Sequence, residues 1–141
     1  MFSDVIGKYG GIARDALARW LASYRVHPNL LTVIGLLVTI WAAVLFAHGR
    51  FIAAGLVLII AGACDILDGA LARLTRQVTR FGAFLDSVLD RYSDVIIFLG
   101  LIVYFARPTP DHSLFYVVLT GIAMIGSLMT SYARARAESL I

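Results

Sequence analysis

Four aspartates interrupt stretches that otherwise read as lipid-soluble helix. Asp65 and Asp68 stand near the end of one apolar run, and Asp86 and Asp90 near the start of the next. A carboxylate at membrane depth costs several kcal/mol, with values from about 2.5 upward, unless a cation compensates it. Four of them, three apart in one segment and four apart in the other, call for a shared positive partner. At about 100° per residue the first pair subtends about 60° of a helix and the second about 40°, so each pair presents on one face. Oxygen-only ligands favour Mg²⁺, Mn²⁺ or Ca²⁺ over zinc, and a metal held by carboxylates points to phosphate chemistry.

The rest of the chain sets the class. Of 141 residues, 60% are hydrophobic and 15% charged, and the mean hydropathy is +0.87. Soluble domains are nearer about 45–50% apolar and about 25% charged. An all-α, polytopic membrane helix bundle is expected, forming one domain over residues 1–141. Residues 2–25 repeat aromatic and aliphatic positions at intervals of three and four, with Asp4, Lys8, Arg14, Asp15 and Arg19 opposite. That pattern predicts an amphipathic helix lying along the membrane surface, weakened and open to a break near Gly7, Gly10 and Gly11. It lacks the continuous apolar core of a secretory signal.

Four transmembrane helices are expected over residues 29–48, 51–74, 81–106 and 113–137. Pro28 sets up the first, with Asn29 or Thr32 to satisfy free backbone N–H groups. The second and third read as antiparallel neighbours joined by the polar link 75–80, which puts the two aspartate pairs at similar depth. Residues 107–112 form a proline-dense exposed turn. Gly35, Gly55, Gly62, Gly121 and Gly126 read as close-packing positions between helices. Cys64 reads as a small packing residue, and His27, His48 and His112 as interfacial residues without a catalytic part.

Charge placement orients the bundle. Lys8, Arg14, Arg19, Arg25, Arg73, Arg76, Arg80, Arg134 and Arg136 fall on one side of a four-span topology, and only Arg50 and Arg107 fall clearly on the other. The basic side is cytoplasmic by the positive-inside rule, which places the aspartates near the cytoplasmic face of the cytoplasmic membrane. These residues flank apolar spans and form no continuous stripe, so nucleic acid is a poor partner. Membrane lipids are the natural one.

The run Asp65-x2-Asp68-Gly69-x2-Ala72-Arg73-x8-Gly82-x3-Asp86-x3-Asp90 resembles the signature of the CDP-alcohol phosphotransferase family of membrane enzymes, with every specified position filled. Pro28-Asn29-Leu30-Leu31-Thr32 looks like that family's nucleotide-contacting start of the first transmembrane helix. The segment from Ser131 to Glu138 is similar to one in its phosphatidylinositol-phosphate synthase branch. The resemblance implies transfer of a phosphatidyl group from CDP-diacylglycerol to an alcohol, with release of CMP, in phospholipid biosynthesis. Asp65, Asp68 and Asp86 would hold a first Mg²⁺ or Mn²⁺, and Asp65 and Asp86 with Asp90 a second. Asp90 would accept the proton of the incoming hydroxyl. Asn29, Leu30, Leu31, Thr32, Gly69, Arg73 and Thr79 would contact the donor, and Arg134 and Arg136 the acceptor's phosphate.

Inositol phosphate is the favoured acceptor and glycerol 3-phosphate the alternative. A homodimer is implied. Similar enzymes usually carry six transmembrane helices, so the chain reads as an incomplete copy or fragment without the last two. Two readings of another class stand beside this one. Intramembrane carboxylates also line divalent-cation transport pathways, and the chain could be a non-catalytic truncated remnant. Residue by residue, Thr79 could simply cap a helix, Arg73 could snorkel to the interface, Arg76 and Arg80 could meet lipid head groups, and Asp94 could make a structural hydrogen bond with Ser93 or Arg91.

Overall fold

The computed structural model describes residues 2–108 and 113–140, with backbone alone for residues 2–9. His112 and most of the proline-rich turn lie outside the described residues. The chain forms five helices, α1 (Phe2–Ser23), α2 (Pro28–Ala47), α3 (Phe51–Leu74), α4 (Arg80–Phe105) and α5 (Leu114–Leu140), and no strand among the described residues. α2, α3 and α5 are long and apolar enough to cross a membrane. α4, at 26 residues, is long enough too but carries Asp86, Asp90, Arg91 and Asp94 from its second turn to just past its middle.

α1 is one unbroken helix. Glycine lowers helix propensity by about 1 kcal/mol per residue and does not forbid the conformation, so the break expected at Gly7, Gly10 and Gly11 does not occur. Ala18 is fully buried where α1 lies on α3, while Ile12, Trp20 and Tyr24 stay more than half exposed. Arg14 donates to Asp15 at 2.9 Å, and that bond holds the Asp15 carboxyl below its ordinary pKa.

α2 opens with Pro28 at its first turn, where a missing N–H costs nothing. No side chain caps it. Instead of receiving an N–H, the Thr32 hydroxyl donates back to the carbonyl of Pro28 at 3.3 Å. α4 is capped by side chain: Thr79, in extended conformation, accepts from the Gly82 N–H at 2.9 Å.

Three helices end in the same way. At the ends of α1, α2 and α3 the pairs Val26→Leu21 and Arg25→Ala22, Arg50→Leu45 and Gly49→Phe46, Gln77→Ala72 and Arg76→Arg73 close Schellman motifs. Gly49 takes the left-handed position after α2 (φ 74°), and a Cβ there would press to 2.9 Å on the Tyr104 ring. At the other two ends arginine occupies that position, Arg25 at φ 55° and Arg76 at φ 54°.

α2 is the centre of the bundle. It packs against both α3 and α4, α5 rides on α4, and among the described residues α3 and α4 make no close backbone contact with each other. The sequence reading made those two direct neighbours. Their backbones stand apart across a cleft instead, each packed on α2, and their carboxylates face one another across it. The tightest crossing is between α2 and α4: a Cβ on Gly100 would collide with the Ala43 carbonyl oxygen. Of the five glycines expected at such crossings only Gly35 meets a neighbour, with Cys64 Cβ 3.5 Å from its virtual Cβ. Gly55, Gly62, Gly121 and Gly126 have nothing within 4 Å.

Phe46, Phe51, Tyr104, Phe105 and Tyr116 gather at the end of the bundle away from the aspartates. Phe51 and Tyr104 meet edge to face at 4.9 Å, and Phe105 stacks on Tyr116 at 5.3 Å. Such a belt suits the opposite membrane–water interface.

Candidate active site

Asp65, Asp68 and Asp86 each offer a carboxylate oxygen within 4.8 Å of the others. α3 supplies two of them and α4 the third, across the cleft bridged by α2. Asp68 is buried, with 6% exposure. Its Oδ2 and the Oδ1 of Asp86 are shut away without a hydrogen-bond partner. Among the described residues the ion pairs join Arg14 to Asp15 and Arg91 to Asp90 and Asp94, so no arginine neutralises the three.

These carboxylates fit a divalent ion. All donors are oxygens, two of the three carboxylates carry an orphaned buried oxygen, and an ion with ligands at roughly 2.0–2.6 Å spans oxygens about 4–5 Å apart. Asp90 is not part of that group. It lines a cavity of about 190 Å³ with Asp65 and Asp68, between α2, α3 and α4 and floored by apolar residues such as Leu58 and Ile97. Its Oδ2 lies 3.6 Å from Arg91 Nη2.

A second cavity, about 300 Å³, opens beside Asp68 and Asp86. Asn29 and Thr32 line it from α2, Gly69 and Arg73 from α3, and Thr79 and Gly82 from the start of α4. Two glycines keep it open. A Cβ on Gly82 would press within 3.2 Å of both Thr79 Oγ1 and Asn29 Oδ1, and one on Gly69 would touch the Arg73 guanidinium at 3.7 Å. Thr79 serves twice, capping α4 and lining the cavity. Leu30 and Leu31 do not line it: Leu31 is buried in the core and Leu30 is 54% exposed.

Arg134 lines a third cavity, between α4 and α5, whereas Arg136 is exposed and lies off it. Arg91 lines that same cavity. The sequence reading treated Arg91 only as a possible ion-pair partner. Its signal was the spacing of Ser87, Arg91 and Asp94, a second polar stripe on α4 beside the one formed by Asp86 and Asp90. Asp94 is indeed hydrogen-bonded to Arg91, and also to Ser127 of α5 rather than to Ser93.

Membrane-crossing helices that gather acidic side chains at one end, beside a cavity lined by arginine and asparagine, define an integral membrane protein with a carboxylate centre of the divalent-cation type. The chain belongs to the CDP-alcohol phosphatidyltransferase family, whose model matches residues 25–140. It is 41% identical over 124 residues to archaetidylinositol phosphate synthase of Pyrococcus horikoshii, covering 88% of this chain and 62% of that protein. It is 37% identical over 124 residues to phosphatidylinositol phosphate synthase of Mycobacterium tuberculosis, covering 87% and 56%.

The fold superposes on crystal structures of the Mycobacterium tuberculosis enzyme at 35% identity. The TM-score is 0.82 against the form with CDP-DAG bound, covering 89% of this chain and 63% of that one. It is 0.81 against the complex with manganese and citrate, covering 89% and 60%. The chain thus spans roughly three-fifths of the length of the relatives it matches.

Proposed function

We propose that this chain carries the active site of a metal-dependent phosphatidyltransferase, moving a phosphatidyl group from CDP-diacylglycerol to a phosphorylated polyol with release of CMP. The observation that carries the reading is the convergence of Asp65, Asp68 and Asp86 beside the cavity lined by Asn29, Thr32, Gly69, Arg73 and Thr79. Family membership and the names of the relatives, which specify inositol phosphate synthases, support donor and acceptor.

Asp65, Asp68 and Asp86 would hold one Mg²⁺ or Mn²⁺, and Asp65 and Asp86 with Asp90 a second. Bound there, divalent ions supply charge neutralisation for the pyrophosphate as the CMP oxygen leaves. The chain's own groups do the rest. Arg73, with its planar fork at the cavity wall, binds a phosphate oxygen. Asn29 and Thr79 orient the nucleotide, and Gly69 and Gly82 let it approach the backbone.

Asp90 takes the proton of the acceptor hydroxyl. That oxygen forms a bond to the phosphorus bearing the diacylglycerol, and the bond from this phosphorus to CMP breaks. Arg134 and Arg136 are assigned to the acceptor's phosphate. Arg134 is the better supported of the two, since it lines the α4–α5 cavity. The basic helix ends support a site on the cytoplasmic side of the cytoplasmic membrane. A homodimer completes the proposal, tested by light scattering of the detergent-solubilised chain.

The chemistry is tested by incubating the purified chain in liposomes with radiolabelled CDP-diacylglycerol, inositol phosphate and Mg²⁺. Labelled phosphatidylinositol phosphate and CMP are expected, and chelator should abolish both. Equal or better turnover with glycerol 3-phosphate would overturn the acceptor assignment. Cation uptake into the liposomes without CMP release would overturn the transferase reading.

A further inference from the structure

Of the three helix ends that close with a Schellman motif, two depart from the residue that motif favours. The position after the helix is left-handed, where a β-carbon crowds the following carbonyl, so glycine is its usual occupant. Gly49 fills it after α2, at the aromatic end of the bundle. After α1 and α3 the occupants are Arg25 (φ 55°) and Arg76 (φ 54°). Both lie at the end that holds the aspartates.

Both arginines are exposed, and neither guanidinium has an ion-pair or hydrogen-bond partner among the described residues. Attraction to the negative end of a helix does not account for their placement. It favours a cation anywhere in the last turn, where Arg73 already stands on α3, and does not single out the one strained position. Strain retained in an exposed turn points to a use for the side chain.

Their surroundings specify the partner. Arg25 follows Trp20 and Tyr24, and Arg76 stands among Leu74, Val78 and Phe81, all five of them 49–68% exposed. Such side chains around a guanidinium suit the membrane–water interface, with acyl chains beside the turn and phosphate at its level. A zwitterionic head group brings its own cation to its phosphate, whereas an anionic one leaves that charge for the protein to meet. The two turns also reach one space. Arg25 lies three residues before Pro28 and Arg76 directly before Gln77, and both Pro28 and Gln77 line the cavity of about 300 Å³ beside Asp68 and Asp86.

We propose that the α1–α2 and α3–α4 turns bind the head groups of anionic phospholipids through Arg25 and Arg76, with Trp20, Tyr24, Val78 and Phe81 seated among the acyl chains. Lipids held there steady the two links that carry Pro28 and Gln77 into the cavity wall. This binding does not depend on the transfer reaction.

The experiment is thermal unfolding of the purified full chain in zwitterionic detergent, titrated with short-chain phosphatidylglycerol or phosphatidylcholine. Phosphatidylglycerol should raise the wild-type melting temperature by about 4 °C, and phosphatidylcholine by less than about 1 °C. Arg25→Gly and Arg76→Gly should each melt higher than wild type without lipid, because the left-handed strain is relieved. The double glycine variant should lose most of the phosphatidylglycerol shift. Arg25→Gln combined with Arg76→Gln, which keeps the β-carbons, should lose the shift without gaining stability. Arg50→Ala, at the opposite end of the bundle, should keep the shift whole.

A full shift in the double glycine variant would overturn the proposal. So would a shift lost equally in Arg50→Ala, which marks unspecific charge attraction. Equal protection by inorganic phosphate, lost in the double variant, would give the turns to a soluble anion instead of a lipid. Glycine variants that melt no higher than wild type would remove the strain on which the proposal stands.

Discussion

Asp68 combines 6% exposure, an oxygen with no hydrogen-bond partner, and a carboxylate that comes within 4.8 Å of two like-charged groups. That combination gives its substitution opposite effects with and without metal. In chelator, Asp68→Asn removes one of three repelling charges and should raise the melting temperature. With Mg²⁺ or Mn²⁺ the wild type should gain stability as RT ln(1 + [L]/Kd), about 2.7 kcal/mol at a hundredfold excess over Kd. The variant should gain little. Differential scanning fluorimetry in detergent reads both, and a wild-type melting point indifferent to divalent ions would refute the metal assignment. Much of this was legible in the sequence, because charges in an apolar run have few reasons to be there. Arg91 was harder to read. It follows directly after Asp90 and looks like a local counter-ion, and only the packing of α5 brings Ser131 and Ser127 against its network.

Among the helices, glycine was the residue least well read from sequence. Five glycines in apolar runs looked like packing sites, yet only Gly35 proved to face a neighbour, while Gly100 makes the closest crossing. A glycine's own letter does not say which helix face it occupies, and in a span apolar all round the periodicity that would reveal it is lost. The consequence is measurable. Gly100→Ala drives a methyl group into the Ala43 carbonyl and should cost about 1–3 kcal/mol, as overpacking does. Gly55→Ala, with open space around it, should be neutral or slightly stabilising. Equal melting temperatures for the two variants in the same detergent would contradict the α2–α4 crossing. Helix ends were better served, since Pro28 and Thr79 announce their starts. The left-handed arginines at positions 25 and 76 carry no such signal, because glycine is the usual occupant there.

For the molecule as a whole, the five helices came directly from hydropathy, and arginine placement alone carries the proposed sidedness. The order of packing did not, since nothing in apolar side chains distinguishes a central helix from a peripheral one in lipid. Sidedness is tested with single cysteines introduced at two exposed positions into a Cys64→Ala background. Arg76→Cys should react with membrane-impermeant maleimide only in inverted vesicles, and Arg50→Cys only in intact cells. The reverse pattern would invert the topology. Packing order bears on the site itself. α3 and α4 carry the three converging carboxylates, yet among the described residues their backbones pack on α2 and not on each other. The distance across the cation-binding group is therefore governed by a helix that contributes no acidic ligand. A shift of α2 at the Ala43–Gly100 crossing would open or narrow that span, so metal affinity should respond to bilayer thickness and to substitutions at a crossing that holds none of the three carboxylates.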